Sequence, residues 1–116
     1  MFFGSWKFSV SKIIDIIYSF VEKNPNNFKE EEVDFLTQIE AEILDIRNLL
    51  LFAKKEADDL LLNKINDSLN DMKQLLRIIE ELDNSYICRP VSGLVIHRDR
   101  LKFQKILNIM KNKYKK

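Results

Sequence analysis

With one cysteine, one histidine, two glycines and two prolines among 116 residues, the chain has little material for chemistry that needs loops or soft ligands. The lone Cys88 excludes an internal disulfide framework and fits a reducing compartment. One cysteine and one histidine are too few for the four ligands of structural zinc, and no CxxC or HxxxH spacing occurs. No stretch approaches the ~18 consecutive apolar residues of a membrane span. The start, MFFGSWKFSVSKIIDIIYSF, lacks the basic opening, unbroken apolar run and small-residue cleavage site of a secretory signal, so the expected location is cytoplasmic. The P-loop, the Rossmann glycine pattern and GxSxG are missing too. These absences set the expectation of a non-enzymatic chain with no catalytic residue, no cofactor and no metal.

What is present is hydrophobic periodicity. Phe3, Trp6, Val10, Ile13, Ile14, Ile17 and Val21 recur at helical spacing, widened by Phe2, Ile16 and Phe20, with Phe8 alone on the wrong side. This predicts a helix over 2–23, stopped by Asn24-Pro25-Asn26-Asn27. Asn27 and Glu30 read as a capping box for the next helix. From there to Cys88 no glycine or proline intervenes, and a single helix of that length would run about 90 Å. The stripes argue against one rod. Phe28, Phe35, Ile39, Ile43, Ile46, Leu50 and Ala53 share one face. Leu61, Leu62, Ile65, Leu69, Met72, Leu76, Ile79 and Leu82 share another, rotated by roughly a quarter turn, where a heptad repeat drifts only ~20° per heptad in the opposite sense. A tight turn at 54–59, capped by Asp58, divides the run into helices over 28–54 and 58–84. A last helix over 99–114 carries Phe103, Ile106, Leu107, Met110 and Tyr114 on its apolar face. The predicted fold class is all-α, one domain, an antiparallel four-helix bundle.

The stretch SYICRPVSGLVIHRDR, residues 85–100, gathers Cys88, His97 and Asp99 beside Pro90 and Gly93. A thiolate oriented by imidazole and carboxylate needs these residue types, but also a cleft and an oxyanion site. The structural reading is preferred: an irregular joint, with Cys88 a small core hydrophobe, Asp99 a cap, and Leu94, Val95 and Ile96 tucked onto the core.

Charge is more informative. The net charge is +1, yet residues 28–83 carry −8 and residues 84–116 carry +8. One side of the second helix presents Glu31, Asp34, Glu42 and Asp45. Its EEEVD and EILD are similar to the paired EExxE and ExxD elements of the all-helical nucleotide pyrophosphohydrolases, a resemblance that implies Mg²⁺ held between two facing helices. Here both elements fall on one predicted helix and the first ends in Asp34, so a solvated acidic face is the preferred reading. The basic end, Arg89, Arg98, Arg100, Lys102, Lys105, Lys111, Lys113, Lys115 and Lys116, is suited to phosphates. No helix-turn-helix, zinc-finger or RNA-module signature accompanies it. Packing of this helix on the acidic hairpin is the simpler alternative.

The resulting expectation is a protein–protein interaction module of the regulatory, inhibitor, immunity or antitoxin kind. Its candidate partner-binding residues are Arg89, His97, Arg98, Arg100, Lys102, Lys105, Lys111, Glu31, Asp34, Glu42 and Asp45, with Asp67, Asp71 and Glu81 on the same acidic hairpin. The alternatives are nucleic-acid binding through 89–116, membrane-surface association through the first helix, and a homodimer joined by opposite charges.

Overall fold

The computed structural model describes residues 2–23, 29–87 and 89–114, and their side chains over 6–23, 29–83 and 100–114. These residues form α1 (Phe2–Glu22), α2 (Glu30–Lys54), α3 (Asp59–Ile87) and α4 (Arg89–Tyr114), with no strand among them. The chain is an all-α helical bundle, 48 × 24 × 22 Å. The 29 residues of α3 cover nearly the whole long axis, about 44 Å at 1.5 Å per residue.

The turn between α2 and α3 lies where the change of stripe puts it. Asp58 Oδ1 accepts the Leu61 backbone N–H at 2.8 Å, and the Asp58 carbonyl accepts from Leu62 at 2.7 Å. A side-chain acceptor thus satisfies one of the donors that an α-helix leaves free in its first turn. At the start of α2 the expected cap is corrected. The helix begins at Glu30 after an extended Lys29, and Glu32 is the residue that reaches back, its carboxylate accepting the Lys29 N–H at 3.2 Å. Asn24 to Asn27 lie outside the described residues.

A larger correction concerns residues 85–98. Instead of an irregular joint, α3 continues to Ile87 and α4 starts at Arg89, ten residues earlier than the expected 99. Pro90 falls in the first turn of α4, where its missing N–H would have had no intrahelical partner. Val91, Leu94 and Val95 stand at i, i+3 and i+4, a helical spacing, and Gly93 weakens a helix by about 1 kcal/mol relative to alanine without ending it. Asp99 therefore sits inside α4 and does not cap it. Cys88 and the core contacts expected of Leu94, Val95 and Ile96 fall outside the described residues and side chains.

Packing follows the stripes, with two local shifts. Val10, Ile13, Ile14 and Ile17 of α1, Ile43 and Leu50 of α2, Met72, Leu75, Ile79 and Leu82 of α3, and Leu107 of α4 form the most deeply buried part of one core. Each such side chain contributes roughly 1.5–3 kcal/mol by leaving water. On α2 the seam takes Leu36 in place of Phe35, which is 40% exposed. On α3 it runs through Leu75 and Ile78, while Leu61 stays 44% exposed. Phe8 faces solvent with the Lys12 ammonium 4.7 Å from its ring centre, a cation–π contact that explains the out-of-phase phenylalanine.

Among the described residues, α4 packs against both α1 and α3, α2 packs chiefly on α3, and α2 and α4 do not meet. Successive helices run antiparallel. Along the α3–α4 seam Asp71 lies level with Lys113, and Ile78 with Phe103. The N-terminal turns of α1 and α3 thereby share one end of the bundle with the C-terminal turns of α2 and α4.

Candidate functional site

The candidate residues divide into those that the fold consumes and those that it leaves free. The consumed group centres on the last turn of α4. Asp71, only 3% exposed, projects from α3 into the α3–α4 seam, where an unpaired carboxylate would be costly. It is satisfied there. Tyr114 Oη donates to Asp71 Oδ2 at 2.8 Å and lies 3.2 Å from the hydroxyl of buried Ser68. Lys113 Nζ donates to both Asp71 oxygens at 3.3 and 3.4 Å and to both Asp67 oxygens at 3.1 and 3.2 Å. The Tyr114 ring also meets Trp6 of α1 edge-on, with centroids 5.8 Å apart. One turn earlier, Lys111 forms an ion pair with Asp15 of α1.

The titration behaviour follows from this setting. Burial pushes the Tyr114 phenol well above its ordinary value, and the neighbouring Asp71 adds to the shift. At Lys113 burial is the largest single influence and favours the neutral amine, but the bonds to Asp67 and Asp71 together outweigh it and raise the value. At the other end of the bundle, the hydrogen bond from Lys23 holds Glu32 below the usual carboxylate range.

Two expectations change here. Asp67 and Asp71 are not part of a free acidic surface, because both are bound to Lys113. The basic end is not uniformly available either, since Lys111 and Lys113 serve as ties to α1 and α3. Nothing in the hydrophobic pattern reveals Ser68 and Asp71 as buried. Their partners lie more than forty residues away, and only the helix register brings them together.

The free group lies mainly on α2. Glu31, Asp34, Glu42 and Asp45 are all exposed, and none forms an ion pair within the described structure. With Gln38 they occupy a face about 80° wide at 100° per residue and about 21 Å long. Seven carboxylates on α2 stand against only Arg47 and Lys54. The reason is topological: among the described residues α4, which carries the basic end, does not pack on α2, so Lys111 and Lys113 neutralise carboxylates of α1 and α3 instead. On α4, Lys102 and Lys105 are exposed and without an ion-pair partner among the described residues. Arg100 is partly buried, and its Nε finds no acceptor there. Arg89, His97 and Arg98 lie on the first turns of α4, with side chains outside the described set.

The EEEVD and EILD segments both fall on α2, so no facing pair of helices brings them together. Among the described residues no group of three or more His, Cys, Asp or Glu side chains is arranged to hold a metal ion. No described helix is long and apolar enough to cross a membrane. The apolar stripe of α1 from Trp6 to Val21, which a membrane-surface helix would use, is buried in the core.

Among the described residues, fold and surface thus define a small all-α helical bundle whose α2 presents a free acidic face. The chain matches no known family model, no curated protein and no solved structure.

Proposed function

We propose that this protein is a non-enzymatic interaction module, of the regulatory or inhibitor kind, that binds a basic surface of another protein through the acidic face of α2. The observation that carries this reading is the separation of charge. The bundle neutralises Asp15, Asp67 and Asp71 internally and leaves Glu31, Asp34, Glu42 and Asp45 unpaired and exposed along one helix. Like charges so placed repel one another and contribute nothing to folding, but they raise the encounter rate with a cationic partner and set the salt dependence of binding. Phe35 lies beside the row and Phe52 beyond its C-terminal end, exposed by 40% and 71%, and both supply apolar contact.

The test is affinity capture from nuclease-treated host extract at low and moderate salt, comparing the wild type with a variant carrying Glu31→Lys, Asp34→Lys, Glu42→Lys and Asp45→Lys. The expected result is a basic partner retained by the wild type, weakened by salt, and lost by the variant, whose circular dichroism stays native. Capture that is indifferent to the reversal contradicts the reading. A second reading, nucleic-acid binding through α4, rests on exposed Lys102 and Lys105. It requires that DNA or RNA be retained at low salt, that Lys102→Glu with Lys105→Glu abolish this, and that the α2 reversal leave it intact.

A further inference from the structure

At the shared end of the bundle, four helix ends surround a cavity of about 640 Å³. Small-molecule sites occupy roughly 300–1,000 Å³. The apolar lining comes from Trp6 of α1, Leu50 of α2, Leu61 and Ile65 of α3 and the Tyr114 ring of α4, of which Leu61, 44% exposed, is the most open. Ser68 is the small residue of this lining, its hydroxyl 3.2 Å from that of Tyr114.

The polar lining has one dominant sign. Among the described residues, Lys7, Lys64 and Lys113 contribute to it against Asp67. Lys113 is engaged by Asp67 and Asp71, whereas Lys7 and Lys64 are exposed and have no carboxylate partner among the described residues. The Lys7 ammonium lies 5.9 Å from the centre of the Trp6 ring, at the cavity wall. An apolar chamber with two free ammonium groups on its lining favours a molecule with an apolar body and an anionic head. Its entry would displace water from Leu61 and from the accessible edges of Trp6 and Tyr114, and would place a carboxylate against Lys7 and Lys64, which have no carboxylate partner among the described residues.

We infer that the end cavity binds a single-chain fatty carboxylate, with its hydrocarbon along Leu61, Trp6 and Tyr114 and its head between Lys7 and Lys64. The site is separate from the α2 acidic face, so the α2 charge-reversal variant should retain it.

Trp6 is the chain's only tryptophan and forms part of the cavity wall, so its fluorescence reads occupancy directly. The experiment titrates the full chain with dodecanoate below its micelle concentration, with terminally brominated undecanoate as a contact quencher. Dodecanol and vesicles of anionic phospholipid form the comparison arms. The expected result is saturable quenching by the brominated acid and binding of dodecanoate at least about tenfold tighter than dodecanol, a difference of roughly 1.4 kcal/mol. Lys7→Glu with Lys64→Glu, both at exposed positions, should remove that preference while dodecanol binding is unchanged. Absence of quenching, equal binding of acid and alcohol, or a response to vesicles but not to free dodecanoate overturns the assignment.

Discussion

Removing the Tyr114 hydroxyl gives the sharpest view of how this bundle closes. Tyr114→Phe keeps the ring against Trp6 but deletes the 2.8 Å bond to Asp71, a carboxylate that is almost fully buried. A hydrogen bond to a charged group is worth roughly 1.5–3 kcal/mol, and the longer contacts from Lys113 to the Asp71 oxygens, at 3.3 and 3.4 Å, are what remains after the substitution. The variant should therefore lose about 1.5–3 kcal/mol, a large share of the 5–15 kcal/mol typical of a domain. In a chain of this size, at about 4 °C per kcal/mol, the melting temperature falls by roughly 6–12 °C. Urea denaturation followed by circular dichroism measures the loss. A double-mutant cycle with Asp71→Ala isolates the pair, with an expected coupling of roughly 0.5–3 kcal/mol. If Tyr114→Phe costs less than about 0.5 kcal/mol, or the two substitutions add independently, the network does not hold α4 to α3 and the reasoning fails.

Other outcomes follow from the same geometry. Asp58→Ala removes the cap on α3 and should cost about 1 kcal/mol, with faster amide exchange at Leu61, whose N–H loses its acceptor. Leu107→Ala, at a fully buried position on α4, should cost about 2–5 kcal/mol, whereas Leu101→Ala, at a site 78% exposed, should stay within about 0.5 kcal/mol. Alkaline titration should show the Tyr114 phenol ionising well above the ordinary tyrosine value of 10.0. Because its folded value is raised, its contribution to stability is complete below the ordinary tyrosine value of 10.0 and is lost as pH climbs above it. Tyr114→Phe should remove that share of the alkaline loss.

The helices were legible where periodicity and a local polar signal coincide. The change of stripe after Ala53 and the aspartate at position 58 together place the α2–α3 turn, and Asp58 caps as its side chain suggests. Residues 85–98 mislead because Pro90 and Gly93 look like breaks, while a proline in the first helical turn breaks nothing. Phe35 and Leu36 are neighbours that both fit a broad stripe, and only the packing of α2 on α3 selects Leu36. The charged surface was legible only in outline. The total of −8 and +8 is a property of sequence, but which carboxylates remain free depends on α4 lying beside α1 and α3 and away from α2. Asp71 illustrates the difficulty: on sequence it belongs to an acidic surface, and in the fold it is a buried acceptor for Tyr114 and Lys113.

Carboxyl footprinting tests the central claim, that the acidic face of α2 is the docking surface, most directly. The protein is labelled with carbodiimide and an amine nucleophile, alone and in host extract, and each carboxylate is quantified by mass spectrometry. In the isolated protein Glu31, Asp34, Glu42 and Asp45 should label fast and Asp71 slowly, in line with their exposure. In extract the four α2 positions should become protected together, and added salt should restore their labelling. Unchanged labelling of α2 in extract, or protection confined to another face, would contradict the account.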